Sequence, residues 1–387
     1  MGTDVISVVA IGSFSPLGDN PSDVWAQYQS GKTLLTELTA IDSKTFGGVL
    51  PAMLSEKAER LRRSNPHYKN LDKSVLYAIL ASRAALSQAG WDNAVNVGVN
   101  IGSSRGATDL FEQYHSQYLE TGKAAVQASP GTTLGNIASW VAQDIKSSGP
   151  EISHSITCST ALHAVLNGVA WLKSGMAERF LVGGSEAPLT GFTIAQMRAM
   201  KIYSYVTNEF PCRALDLEKE LNTMVLGEGA AVACLESGYK ENALAYIRGI
   251  GYATEVISHG ASLSANGDCL QTSMRMALGA ISATDIDAVV MHAPGTVKGD
   301  LAEYNAVKAI FGNNIPLLTT NKWKIGHTFG ASGMLSLEMA VYMLEHNTFI
   351  PSPFYEAVQN RELKNILINA VGFGGNAVSI LISKTPQ

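Results

Sequence analysis

Residues 151–172 read EISHSITCSTALHAVLNGVAWL. Residues 152–157 have the apolar character of a strand. A turn follows at Cys158, and then a helix whose apolar residues Leu162, Val165, Val169 and Leu172 recur at i, i+3, i+7 and i+10, one face of a 3.6-residue period. The same unit returns later in the chain. Residues 315–320 lead on to Met334, Leu337, Val341 and Leu344 at the same spacing. Working outward, strand-like residues 8–12 have an echo in 246–251, and 97–102 in 288–292. Each half also ends on a strand feeding a glycine turn: 180–184 first, then 366–368 ahead of Gly372, Phe373, Gly374 and Gly375. Strands alternating with helices define an α/β chain. The repeat predicts two similar halves, residues 1–240 and 241–387, dividing near 238–243. Two stretches read as surface excursions. One is the polar segment 36–73 with Arg60, Arg62, Arg63 and Lys69; the other is 190–224, which carries Cys212, Arg213 and Asp216.

Composition narrows the function classes. Charged residues are 16% of the 387 and apolar residues 46%, against roughly 25% charged in an average soluble domain. So little polar surface points to a large core and a buried subunit interface. With 28 basic and 33 acidic residues the net charge is −5, which excludes nucleic acid as the main partner because no excess positive field exists to neutralise phosphates. No run of 18 or more uncharged apolar residues occurs, so no membrane span is expected, and residues 1–16 lack the features of a signal peptide. Four cysteines without CxxC spacing form neither a disulfide framework nor a metal module. A cytoplasmic, thiol-reduced enzyme is the expectation.

Three residues stand out chemically. Cys158 is placed where a strand gives way to a helix, so unpaired backbone N–H groups and the helix dipole favour a thiolate and can receive a developing oxyanion. An inert buried cysteine is the alternative. His292 follows the apolar residues 286–291 and opens the turn His292-Ala293-Pro294-Gly295-Thr296. His327 lies within KWKIGHTFG, residues 322–330. With the cysteine they make a nucleophile and two donors or acid–base groups. The remaining histidines (67, 115, 154, 163, 259 and 346) have no comparable setting, and His163 reads as a packing or orienting residue one turn beyond Cys158. Cys158, His292 and His327 are also zinc-ligand types, but none forms a short-spaced ligand pair, so no metal is expected. The glycine clusters match neither GxGxxG nor a P-loop, so no nucleotide cofactor is expected. They read as tight turns that bring backbone N–H groups to a substrate.

At this point the sequence resembles the β-ketoacyl-[acyl-carrier-protein] synthases, the thiolase-fold condensing enzymes. Six motifs carry the resemblance in order: VVAIGSFSPLG (8–18), the nucleophile segment 149–164, LGEGAA (226–231), HAPGTVKGDLAE (292–303), KWKIGHTFG (322–330) and GFGG (372–375). The resemblance implies a thiolase fold, two duplicated βαβαβαββ halves packed as a five-layer αβαβα sandwich. Cys158 would be the acylated nucleophile. His292 and His327 would bind the extender's carbonyl and stabilise the enolate formed on decarboxylation, and Lys322 would hold His327 and its network. Glu303 and Asp300 would support them through hydrogen bonds, and Thr296 survives from a pair that contacts the pantetheine arm. The N–H groups of Cys158 and Phe373 would form the oxyanion hole, with the Phe373 ring gating the thiol. No cofactor is implied.

Two histidines fit the elongating class. Initiating synthases typically put Asn at the place of His327, and thiolases use a second cysteine. The chain departs from the family pattern at Ala293, where a glycine is usual, and at Pro294, where a threonine is usual. Residues 220–224 also replace the common RDGF, and these departures suggest a specialised polyketide or polyene branch. The implied partner is an acidic acyl carrier protein, with Arg62, Arg63 and Lys69 as candidate docking residues. The low charge fits a homodimer or a heterodimer with a related subunit. Two other readings stand beside this one: a non-catalytic partner subunit like the chain-length factors, and a coenzyme A-dependent thiolase-type acyltransferase.

Overall fold

The computed structural model describes residues 5–42, 44–91, 96–134, 136–256 and 263–386. Ten strands form one sheet: β1 (Ile6–Phe14), β2 (Gly98–Gly102), β3 (Glu151–Ile152), β4 (Arg179–Glu186), β5 (Gly229–Ser237), β6 (Ala245–Thr254), β7 (Ala288–Val290), β8 (Leu317–Thr319), β9 (Asn365–Gly372) and β10 (Asn376–Ser383). Their order is β3-β2-β4-β5-β1-β6-β10-β9-β7-β8. Adding five to each strand of the first half gives its partner in the second. The pairing senses match as well. β1–β5 and β5–β4 are antiparallel and β4–β2 and β2–β3 parallel, as are β6–β10, β10–β9, β9–β7 and β7–β8 in turn. Only three residue pairs, Ile6–Ile247, Ser7–Tyr246 and Val8–Ala245, join the halves across β1 and β6.

The strands are near-continuous apolar runs because both faces are covered. All nine residues of β1 are buried. Seven helices matter below: α1 (Lys73–Ala89), α2 (Thr108–Thr121), α3 (Thr160–Lys173), α4 (Gly191–Ala199), α5 (Asp268–Leu278), α6 (Val297–Phe311) and α7 (Ser332–His346). α1 covers one outer face, and α5 with α6 the other. α3 and α7 lie between the half-sheets, in a core shared with β1, β4, β5, β6, β7, β9 and β10. The layers are therefore αβαβα, a thiolase fold. Glycine sets the spacing of the outer layers in the same way twice. A Cβ on Gly12 would come within 2.3 Å of Ala81 O on α1, and one on Gly251 within 1.8 Å of Ser273 O on α5.

The structure corrects three expectations. The strand expected over 152–157 is β3, only two residues long at the sheet edge, and the chain then leaves the ladder. The one-face helix expected from Met334, Leu337, Val341 and Leu344 is buried on every side from Ser332 to Leu344, Ser336 and Glu338 included, because two half-sheets and α3 surround it. Residues 190–224 are not a surface excursion. Tyr203, Cys212, Ala214 and Leu215 are buried, and the segment walls the cavity described next. Among the described residues, no helix is long and apolar enough to cross a membrane.

Candidate active site

Cys158 sits two residues before α3, on a turn whose preceding residue, Thr157, has φ +47°. Ser159 N donates to Ile156 O (3.2 Å), and Thr160 N to Thr157 O (3.3 Å). The Thr160 hydroxyl clamps the turn from inside, donating to Thr157 O at 2.6 Å while accepting from Ile156 N at 2.9 Å. The thiol is buried. That burial pushes it up to about 12; the Glu186 carboxylate adds to the rise, while Lys322 and Arg105 oppose it. The thiolate expected from the helix terminus is thus not the resting form: desolvation outweighs the dipole.

The two histidines meet edge to face, ring centroids 5.1 Å apart at 84°. His292 leaves the end of β7, and Glu303 of α6 fixes the turn. Its carboxylate accepts from His292 N (2.9 Å), Ala293 N (2.8 Å) and Asn369 Nδ2 (3.1 Å). Ala293 takes φ +26°. His327 is held through its backbone, donating to Val225 O (2.7 Å) and accepting from Gly227 N (3.1 Å). Gly326 precedes it at φ +77°, where a Cβ would lie 2.7 Å from Leu226 O. Burial, with the Lys322 ammonium nearby, holds both imidazoles well below their ordinary range, so both are neutral at pH 7.

Lys322 is buried, and its ammonium is weakened by desolvation against the opposing pull of Glu303. Its Nζ and His327 Nδ1 have no hydrogen-bond partner among the described residues. Asp300 braces the far end of the His292 turn. It accepts from Gly295 N (3.0 Å), Leu215 N (2.9 Å) and Lys219 Nζ (2.7 Å). Thr296 caps α6, accepting from Gly299 N at 3.2 Å. The turn at 372–375 presses against the nucleophile: a Cβ on Gly372 would lie 1.8 Å from Thr157 Oγ1 and 3.2 Å from Cys158 N. Phe373 follows, with its carbonyl accepting from Thr157 Oγ1 at 3.4 Å.

Two cavities converge here. The larger, about 900 Å³, is lined by Cys158, His292, His327, Thr296 and Phe373 among others. The smaller, about 460 Å³, shares Cys158, Phe329 and Phe373 with it. Cys158 therefore stands at the junction of the two cavities, together with Phe329 and Phe373.

Of the residues singled out in the sequence, Cys158, His292, His327, Thr296 and Phe373 share one cavity, and Lys322, Glu303 and Asp300 lie behind it. Arg62, Arg63 and Lys69 line neither cavity. Arg62 bonds Glu59 and Leu71 O, and Arg63 bonds Glu56 at 2.5 Å. His163 Nδ1 donates to Ser159 O at 3.1 Å, a local tie at the start of α3. His259 lies outside the described residues. Sequence reading missed Lys219, Asn222, Lys201, Lys298, Phe329 and Arg105. Lys201 and Lys298 are exposed residues that line the larger cavity. Asn222 accepts from Val297 N at 2.9 Å, at the start of α6. Lys219, Asn222, Lys201 and Arg105 reach the site from outside the six motifs, while Lys298 and Phe329 lie inside two of them, at positions next to the residues those motifs single out. Among the described residues no cluster of His, Cys, Asp or Glu is placed to hold a metal ion.

A buried thiol at a helix start, two neutral imidazoles and a paired cavity on a duplicated α/β fold define a condensing acyltransferase. Residues 3–241 match the β-ketoacyl synthase N-terminal domain and 244–356 its C-terminal domain, and the chain belongs to the β-ketoacyl synthase family. It is 27% identical to the 3-oxoacyl-[acyl-carrier-protein] synthase 2 of Coxiella burnetii over 98% of both chains, and 26% identical to that of Vibrio harveyi over 99% of both. A β-ketoacyl synthase structure from Burkholderia phymatum shares the fold over 100% of both chains, with a TM-score of 0.85 at 22% identity. So does a type II polyketide ketosynthase bound to a hexaketide, solved in complex with its acyl-carrier protein (TM-score 0.84, 21% identity, 98% of this chain and 99% of that one).

Proposed function

We propose that the protein extends an acyl chain by decarboxylating Claisen condensation, taking the acyl group onto Cys158 and the two-carbon unit from malonyl-loaded acyl carrier protein. The carrying observation is that Cys158, His292 and His327 line one cavity. In the first half-reaction Sγ attacks the donor's thioester carbonyl, a neutral imidazole takes the thiol proton, and the carrier thiol leaves with a proton. The tetrahedral oxyanion is received by the N–H groups of Cys158 and Phe373, a reading supported by the close approach of Gly372 to Cys158 N. In the second, the malonyl carboxylate leaves as CO2 and its bonding electron pair becomes the enolate. The enolate oxygen accepts hydrogen bonds from the ring N–H groups of the neutral His292 and His327. The enolate carbon then attacks the Cys158 thioester, and Sγ departs with the bonding electron pair and takes a proton from solvent to restore the thiol. Lys322, Glu303 and Asp300 act through the histidines as positioning residues.

The same cavity argues against a non-catalytic partner subunit, because nucleophile and donors are all present. It also argues against thiolase chemistry: Cys212, Cys234 and Cys269 are buried, and none lines it. Pro294 stands in the cavity wall with no N–H to offer, and with Ala293 and residues 220–224 it supports a specialised polyketide or polyene branch. Four free cysteines suit a cytoplasmic setting. α2 has no buried residue and exposes Phe111, Tyr118 and Leu119, which supports a second subunit, either a copy or a relative. Lys201 and Lys298, on the wall of the larger cavity, suit an acidic carrier better than Arg62 and Arg63, which already face carboxylates; Lys69 remains a candidate. The divided halves 1–240 and 241–387 contribute the thiol and the two histidines respectively.

Intact-protein mass measurement after incubation with acyl-carrier thioesters tests the reading. Wild type gains the acyl mass and Cys158→Ala does not. His292→Ala and His327→Ala still acylate but release CO2 from malonyl carrier about 100-fold more slowly or worse. Failure of wild type to acylate with any donor, alone or with related subunits, would overturn the proposal.

A further inference from the structure

The structure assigns Arg105 a selecting role: we infer that the acyl group held on Cys158 carries a hydrogen-bond-accepting oxygen along its chain, which Arg105 binds. This rests on the condensing reading above. Two carbon chains must meet at Sγ, and the enolate is confined to the larger cavity by His292 and His327, both absent from the smaller one. The acyl tail therefore lies in the smaller cavity, entering between Phe329 and Phe373.

That cavity is not an alkyl slot. Ser104, Arg105, Thr108, Glu112, Thr157 and Gln196 make up more than half of its lining. Arg105 Nη1 donates to Gln196 Oε1 at 2.8 Å, and the guanidinium lies 5.3 Å from the Phe329 ring centroid. Among the described residues this is the one acceptor its five N–H donors meet. Neither nearby carboxylate bonds the guanidinium, although Glu186, whose Oε2 has no hydrogen-bond partner among the described residues, attracts it. Glu186 accepts from Ser104 N and Gly330 N (3.1 Å for the latter), and Glu112 accepts from Thr190 Oγ1 at 2.6 Å. A saturated tail would strip water from the guanidinium and return nothing. A keto, hydroxyl or carboxylate oxygen would replace the lost water directly. Such a half-buried donor set discriminates against the analogue lacking the oxygen, here by about 10- to 100-fold.

The experiment compares Cys158 acylation rates, by intact mass, with three N-acetylcysteamine thioesters: hexanoyl, 5-oxohexanoyl, and the half-thioester of adipic acid. Wild type should acylate with an oxygenated donor about 10- to 100-fold faster than with hexanoyl. The two oxygenated arms separate a neutral from an anionic acceptor. Arg105→Met should abolish or invert the ratio, with Arg105→Gln as a second variant in case the first folds poorly. A wild-type preference for hexanoyl, or a ratio unchanged in both variants, would overturn the inference while leaving the condensing reading intact. Acylation by none of the three would overturn the inference, and the condensing reading would fall with it only if acyl-carrier thioesters also left Cys158 unmodified.

Discussion

Lys219→Met probes what holds the His292 turn from behind. Lys219 Nζ lies 2.7 Å from Asp300 Oδ2, with side chains 3% and 0% exposed, and Asp300 is the acceptor for Gly295 N and Leu215 N. At that separation two unit charges attract by about 6 kcal/mol at an effective dielectric constant near 20, most of it cancelled by the cost of desolvating both. Removing the lysine forfeits the attraction and leaves the desolvated carboxylate, so the variant loses about 3–5 kcal/mol at pH 8. The sign of its pH dependence follows. Burial already raises Asp300, and Lys219 is the leading group that pulls it down; without the lysine the folded-state pKa climbs further. A raised carboxyl binds its proton in the folded chain while the unfolded chain has lost it, so stability falls as pH rises through that window. The deficit should therefore shrink toward pH 5, by up to about 1.4 kcal/mol per pH unit within the window. Adding Asp300→Asn should recover most of it at pH 8. Urea unfolding of wild type, single and double variants at pH 5 to 8 and fixed protein concentration is the assay. A deficit under about 1 kcal/mol, a deficit independent of pH, or a double variant no better than the single would refute the argument.

Three further outcomes are expected. With a thiol pushed up to about 12, alkylation of Cys158 by iodoacetamide should accelerate about tenfold per pH unit from pH 7 to 9; a plateau below pH 8 would show a preformed thiolate. Gly372→Ala would set a Cβ 1.8 Å from Thr157 Oγ1, shifting the turn against the nucleophile. Acylation should slow about 100-fold with native circular dichroism, and an unchanged rate would contradict the tight approach. Lys201→Glu with Lys298→Glu should raise the KM for malonyl-loaded carrier about tenfold at low salt, with the effect fading as salt screens it. The same reversal at Arg62, Arg63 and Lys69 should do less; if it does more, the carrier docks on that face instead.

What the sequence made legible was whatever sits beside a backbone event. Cys158, His292 and His327 each stand at a turn next to glycine, proline or a helix start, and the paired strands are apolar runs that declare themselves. What it concealed depends on enclosure. Residues 190–224 look polar enough for the surface, yet Lys219, Asn222 and Thr223 spend their polar atoms inward on Asp300, Val297 N and Gly295 O. The thiol's acidity was misjudged for the same reason. The helix start is local and visible at Thr160, whereas burial of the thiol is a product of the whole fold and the Glu186 charge that adds to it is distant in the chain.

The repeat also explains why one thiol has two cavities. α3 and α7 occupy matching places in the two halves, and their first turns touch: a Cβ on Gly333 would lie 2.7 Å from Leu162 Cγ. Two helix starts thus meet in one region, a few residues beyond Cys158 on α3 and beyond His327 on α7. The matching strands β2 and β7 end beside that region too. The chain leaving β2 brings Ser104 and Arg105 to the smaller cavity, and the chain leaving β7 brings His292 to the larger. The symmetry fixes where two chains can enter, and the unlike residues on the two exits decide what each entry does. Substitutions after β2 should therefore change which acyl group is taken up while leaving decarboxylation alone. Substitutions after β7 should do the reverse, because the two exits line different cavities, which share Cys158, Phe329 and Phe373.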